Sequence, residues 1–197
     1  RAEKVPYLIF SGVAVSDDGG ATFRKVARVP SLDRTVAEPY LRGAPYVLRD
    51  DGRFRMWYVS GTGWSVRDHA PRYRVVVRTA ASDDGLRWDG ETAICLEPEG
   101  DEYAIGRPSV VRDGGLYRMW YSIRSFAHPY RLGYAESSDG VSWTRRDGNA
   151  GIAASESGWD SEMICYAYVL DAAPHRYLFF NGNQHGSTGF GVARWVG

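Results

Sequence analysis

From residue 107 to residue 143, bulky side chains alternate with small or polar ones at a period of two, and Gly- and Asp-rich breaks interrupt the alternation at short intervals. Such a pattern predicts antiparallel strands rather than helices. Residues 107–112 form the first and end at the Gly114-Gly115 pair. Residues 116–123 form an aromatic-rich second, and residues 130–137 a third closed by Ser138-Asp139-Gly140. A fourth starts at Trp143. The same alternation appears on both sides of this stretch. Upstream, residues 5–10 and 13–15 predict a hairpin turned at Ser11-Gly12, followed by a strand over 24–29. Residues 38–48 and 54–60 flank an Asp50-Asp51-Gly52 turn, and a long loop over 61–72 leads into a strand over 73–81. Downstream, strands are expected over 162–170, 177–183 and 189–195.

The units share more than periodicity. Arg-Met-Trp-Tyr stands at 55–58 and again at 118–121. Ser-x-Asp-Gly-x-x-Trp stands at 82–88 and 137–143, with a one-residue-longer relative at 16–23. Shared motifs in one order define a repeat. Repeated units of four antiparallel strands predict an all-β fold, a β-propeller of four-stranded blades. The blade segments fall at about 1–30, 38–96, 104–150 and 160–197, within one domain over 1–197. The first unit opens on what reads as a second strand and the last stops after a third, so the propeller is expected to be incomplete at both ends.

Charge changes the picture by exclusion. Lys+Arg and Asp+Glu both number 24, so no long-range field favours nucleic acid or an anionic membrane. There is no run of about 18 apolar residues to span a bilayer. No leader pattern opens the chain, and the default location is the cytoplasm unless a leader has been removed. Cys95 and Cys165 have no ligand spacing around them and read as buried thiols. The four histidines lack metal spacing, so neither metal nor cofactor is expected, although His185 is the one placed to face a central ion.

The Ser-x-Asp-Gly-x-x-Trp turn has a version in sialidases, the Asp-box, but its physics is architectural. Ser and Asp side chains accept backbone N–H bonds, Gly supplies a positive φ, and Trp packs on the sheet. The Met-Trp-Tyr strands likewise read as core.

With these motifs in hand, the chain resembles the five-bladed propeller glycosidases, the superfamily of arabinanases, β-xylosidases, invertases and levansucrases. The resemblance rests on Arg-Pro-Ser-Val at 107–110, Met-Trp-Tyr-Ser at 119–122, Gly-Tyr-Ala-Glu-Ser-Ser-Asp-Gly-x-x-Trp at 133–143, Tyr-Leu-Phe-Phe-Asn-Gly-Asn at 177–183 and Gly-Phe-Gly-Val-Ala at 189–193. It implies acids on the innermost strands of the first three blades, two Asp and one Glu, acting across a sugar. Counted back from a closing fifth blade, Glu38 matches the general acid, while the blades that would carry both Asp lie before Arg1. Asp160 and Glu162 are the other catalytic candidates. Arg42, Arg107 and Tyr166 are expected at inner-strand heads, where bidentate bonds can hold sugar hydroxyls; Arg107 and Glu162 have the alternative of pairing with each other. Trp64, Arg124, His128, Asn183 and His185 fall in rim loops and could stack on or hydrogen-bond a sugar. The expected partner is an oligo- or polysaccharide. The expected function is that of a glycoside hydrolase-like propeller acting on or binding a glycan through carboxylates in a central funnel. A non-catalytic propeller that binds carbohydrate or protein is the alternative. A sialidase, which needs three converging Arg, is a further one.

Overall fold

The structure is a computed structural model and describes residues 7–67, 70–88 and 90–196. The fold is all β. After the short strands β1 (Ile9–Phe10), β2 (Ala14–Val15) and β3 (Arg24–Lys25) come two antiparallel meanders of four strands each. The first comprises β4 (Leu41–Asp50), β5 (Arg53–Arg67), β6 (Ala70–Ser82) and β7 (Thr92–Leu96). The second comprises β8 (Glu102–Asp113), β9 (Leu116–Ser125), β10 (Arg131–Ser137) and β11 (Thr144–Arg145). A three-stranded sheet follows, made of β12 (Cys165–Ala172), β13 (His175–Asn181) and β14 (Phe190–Arg194). A single parallel pairing, Val75 with Ala104, joins the two meanders. Among the described residues no helix is long and apolar enough to cross a membrane.

The repeated tetrapeptide explains the stacking. Successive strand residues point to opposite faces, so in each copy the Trp faces one neighbour and the Tyr the other. Trp57 packs with Val110, Tyr117 and Met119 of the second meander, and Tyr121 reaches back into the same cluster. One repeat on, Trp120 packs with Ile164, Ala167 and Val169 at β12. Tyr58 faces the N-terminal segment at Leu32. Truncating either buried indole to Ala is expected to destabilise by about 3–5 kcal/mol.

The turns follow the expected chemistry. Ser137 Oγ accepts the Gly140 N–H at 2.8 Å, and Asp139 Oδ1 accepts those of Val141 at 2.8 Å and Ser142 at 2.7 Å. Gly140 has φ of 73°. The Ser82–Asp84–Gly85 turn repeats the arrangement. These backbone bonds hold the Asp139 carboxyl at about 2, below its usual range. Both cysteines are free and buried.

Four expectations need correction, the first being the strand over 24–29, of which only Arg24–Lys25 forms. Ile9–Phe10 pairs in parallel with β4, while β2 pairs with β3, so the hairpin turned at Ser11-Gly12 is not formed; residues 5 and 6 lie outside the described residues. The loop over 61–72 is a continuation of β5 and β6 into one long hairpin, with Trp64 paired to Tyr73. It stays extended because Trp64 and Tyr73 both pack on Tyr40. The strand over 162–170 starts only at Cys165, because the N–H groups of Glu162 and Met163 donate to the Asn183 side chain instead of a neighbouring strand.

Candidate functional site

Each of the three long first strands carries the same irregularity. Register shifts lie between Gly43 and Tyr46 in β4, between Gly106 and Ser109 in β8, and between Cys165 and Tyr168 in β12. At each shift a non-glycine residue is left-handed: Ala44 with φ 44°, Arg107 with φ 54° and Tyr166 with φ 60°. Such bulges re-aim a side chain and cost on the order of 1–3 kcal/mol in backbone strain. The β12 bulge is held from the second meander, where Ser122 Oγ accepts the Tyr166 N–H at 2.8 Å and Ser109 Oγ that of Val169 at 2.9 Å. A bulge at the same place in each of these three strands is architectural. The residue type it carries is not: it is Ala, then Arg, then Tyr.

All three bulge residues line one cavity of about 340 Å³, whose wall also includes Tyr7, Gly106, Ser122, Arg124 and Tyr130. The Arg107 guanidinium lies over the Tyr166 ring at 4.7 Å. The Arg124 guanidinium lies between the rings of Tyr103 at 5.6 Å and Tyr130 at 5.8 Å. Tyr130 meets Tyr166 edge-on at 5.9 Å, and His185 packs against both. Burial raises the Tyr130 and Tyr103 hydroxyls above their ordinary range, so both stay neutral and can donate. Among the described residues neither Arg107 nor Arg124 is ion-paired, and no carboxylate lines the wall. Chemically this is a pocket of fixed positive charge, aromatic faces and hydroxyls, suited to grip a small polar ring.

Of the residues singled out in the sequence, Arg107, Tyr166, Arg124 and His185 come together here. The expected alternative pairing of Arg107 with Glu162 is not made: Arg107 rests on Tyr166 instead. Glu38 and Arg42 meet elsewhere, in a buried cluster. Arg42 Nε lies 3.1 Å from Glu38 Oε2, the Tyr58 hydroxyl is 3.0 Å from both Glu38 oxygens, and Arg78 Nε approaches to 3.6 Å. Strand alternation separates Arg42 from the cavity, since Leu41 and Gly43 on either side of it face that way. Asp160 is buried and Glu162 exposed, and Asn183 braces the chain between them and Gly158. Trp64 belongs to the Tyr40–Tyr73 aromatic cluster. His128 is exposed, its backbone tied to Ser125. Sequence reasoning missed Tyr130, Tyr7 and Ser122. The positions of Arg107 and Tyr166 at matched register shifts were the usable signal, but only pairing registers reveal it.

No protein-family model matches the chain. Two uncharacterized proteins of Mycobacterium tuberculosis are each 38% identical to it over 194 residues, which is 98% of this chain and 63% of theirs. The chain therefore spans less than two thirds of the curated relatives it matches. Among solved structures, a thermostable family-43 glycoside hydrolase superposes with a TM-score of 0.74 at 18% identity, over 94% of this chain and 63% of that one. The fold is that of family-43 and related glycoside hydrolases. An α-L-arabinofuranosidase from Lactobacillus brevis gives a TM-score of 0.63 at 11% identity, over 88% of this chain and 57% of its own. A sucrose-6-phosphate hydrolase from Lactobacillus gasseri gives 0.64 at 13%, over 89% and 36%. The resemblance expected from the sequence thus holds at the level of fold.

Proposed function

We propose that the chain is part of a five-bladed β-propeller whose innermost strands are β4, β8 and β12, and that a glycan binds in the well at their bulges. The observation that carries this reading is the convergence of Arg107, Arg124, Tyr130 and Tyr166 on one cavity of about 340 Å³. A volume of that order lies within the roughly 300–1,000 Å³ typical of small-molecule sites. Sugar rings present apolar C–H faces to aromatic side chains and hydroxyls to guanidinium and phenol groups. The fold shared with glycoside hydrolases supports a glycan as the occupant.

Recognition is the part assigned to this chain's own residues. Hydrolysis is the second reading, and the shared fold favours it. It requires two carboxyl groups about 5–10 Å apart across the sugar. Glu38, Asp160 and Glu162 are the candidates this chain carries, and none of them lines the cavity.

Calorimetric titration of the purified protein against pentose, fructose and uronate oligosaccharides tests the proposal. Binding of at least one class is expected, weakened about tenfold or more, about 1.4 kcal/mol, by Tyr130→Ala or Tyr166→Ala. Binding that neither substitution alters would remove the cavity from the account. Glycosidase activity abolished by Glu162→Gln with the melting temperature unchanged would promote the second reading.

A further inference from the structure

Arginines that approach the sheet interiors in this protein bring their own counter-charge. Arg42 has Glu38, Arg55 has Asp50, Arg145 has Glu102 and Asp147, and Arg176 has Asp113 and Asp171. The cavity breaks this habit at the half-buried Arg124, and the exposed Arg107 stands beside it on the same wall. Arg107 and Arg124 both face it, and each rests on aromatic rings rather than on a carboxylate. A ring under a guanidinium orients the fork without using up its N–H donors, so those that Arg124 does not give to the Tyr7 side chain stay available to a ligand. The Ser122 hydroxyl and the neutral phenol of Tyr130 stand beside them. Moreover, Arg107 occupies a left-handed backbone position that Ala and Tyr hold in the sister strands, so nothing in the bulge itself calls for a cation.

A neutral sugar would leave two positive charges facing one small cavity unanswered. A sugar with an oxyanion would answer them with charge-assisted, bidentate bonds, roughly twice as strong as neutral ones. We propose that the glycan recognised here carries an oxyanion substituent, the carboxylate of a uronic acid or a sulfate or phosphate ester, held by Arg107 and Arg124. This rests on the reading of the cavity as a glycan site and names its substrate class.

The test compares matched ligands by calorimetry: a galacturonic acid oligomer, the galactose oligomer of equal length, and its sulfated and phosphorylated forms. At least one acidic ligand is expected to bind about tenfold or more tighter than the neutral one, with an affinity that falls as salt rises. Arg107→Gln and Arg124→Gln should each erase most of that preference, and Arg107→Lys should restore part of it. Arg107 is exposed, so its loss is expected to leave the melting temperature unchanged, which serves as the folding control. The carboxylate arm binding tightest assigns a uronate, and an ester arm binding tightest assigns that ester. Neutral and acidic oligomers bound equally, with Tyr130→Ala still weakening both, would overturn the oxyanion while sparing the glycan site. Failure of every oligomer to bind would overturn the glycan reading itself, and the oxyanion with it.

Discussion

Two regions of this molecule are built from nearly the same parts and differ in whether a carboxylate completes them. In one, Arg42 lies over the Tyr58 ring at 5.3 Å; in the other, Arg107 lies over the Tyr166 ring at 4.7 Å. The first pair is completed by Glu38, whose carboxylate takes the Tyr58 hydroxyl and both Arg42 and Arg78 as partners, with little contact with solvent. Both pairs border a cavity, but the second has no carboxylate among the described residues. A guanidinium on an aromatic ring is therefore not by itself a sign of binding. Whether the fold also supplies the anion decides between a brace and a receptor: a buried carboxylate closes the electrostatic account internally, whereas an unanswered cation in a cavity has affinity to spare.

The largest effect belongs to the brace. Glu38→Gln should destabilise the fold by about 3–5 kcal/mol in urea unfolding, because the buried Arg42 and the half-buried Arg78 are left without their counter-charge. Were Glu38 the general acid instead, turnover would vanish while the unfolding midpoint held. For the receptor the expectation is reversed. Arg124→Ala combined with Arg107→Ala should change stability by about 1 kcal/mol or less, yet remove the tightest glycan binding seen by calorimetry. Backbone strain separates the two roles at a single residue. Arg107→Gly should raise stability by about 1 kcal/mol by relieving the left-handed conformation and should still lose binding. An unchanged or lowered unfolding midpoint would show that the bulge is not strained there.

The smallest effect concerns a carboxylate outside both regions. Asp139 has a pKa depressed to about 2 by the backbone N–H bonds of its turn. A depressed carboxyl stabilises the folded state above its unfolded pKa, near 3.8, and the contribution fades as pH falls through the folded value. Asp139→Asn should therefore lower the melting temperature slightly at pH 7 and 5, with the gap to the unmodified protein closing as pH drops toward about 2. A gap that widened in acid would reverse the sign and refute the turn as its cause.

Much of this architecture was legible in advance where local chemistry decides it. The Gly114-Gly115 turn, the Ser-Asp-Gly turns and the Trp/Tyr alternation of the two tetrapeptides all behave as read, because each depends on neighbours a few residues away. Reading failed where distant partners compete. Ile9–Phe10 joined β4 rather than β2, and Trp64 turned a supposed loop into a hairpin by reaching Tyr40. The site divided in the same manner. Arg42 and Arg107 looked equivalent as cations at strand heads, yet Arg107 sits at the left-handed bulge position and Arg42 two residues before the matching Ala44, which sends them to different places.

The order of residues alone was enough to determine an all-β chain of repeated antiparallel meanders, since period-two alternation and turn chemistry act over short distances and tolerate little else. It also settled which types of side chain stand near the strand heads. Which of those side chains share a cavity was decided only by tertiary structure. Bulge, pairing register and sheet stacking set the direction of each side chain, and a shift of one residue carries it to the opposite face.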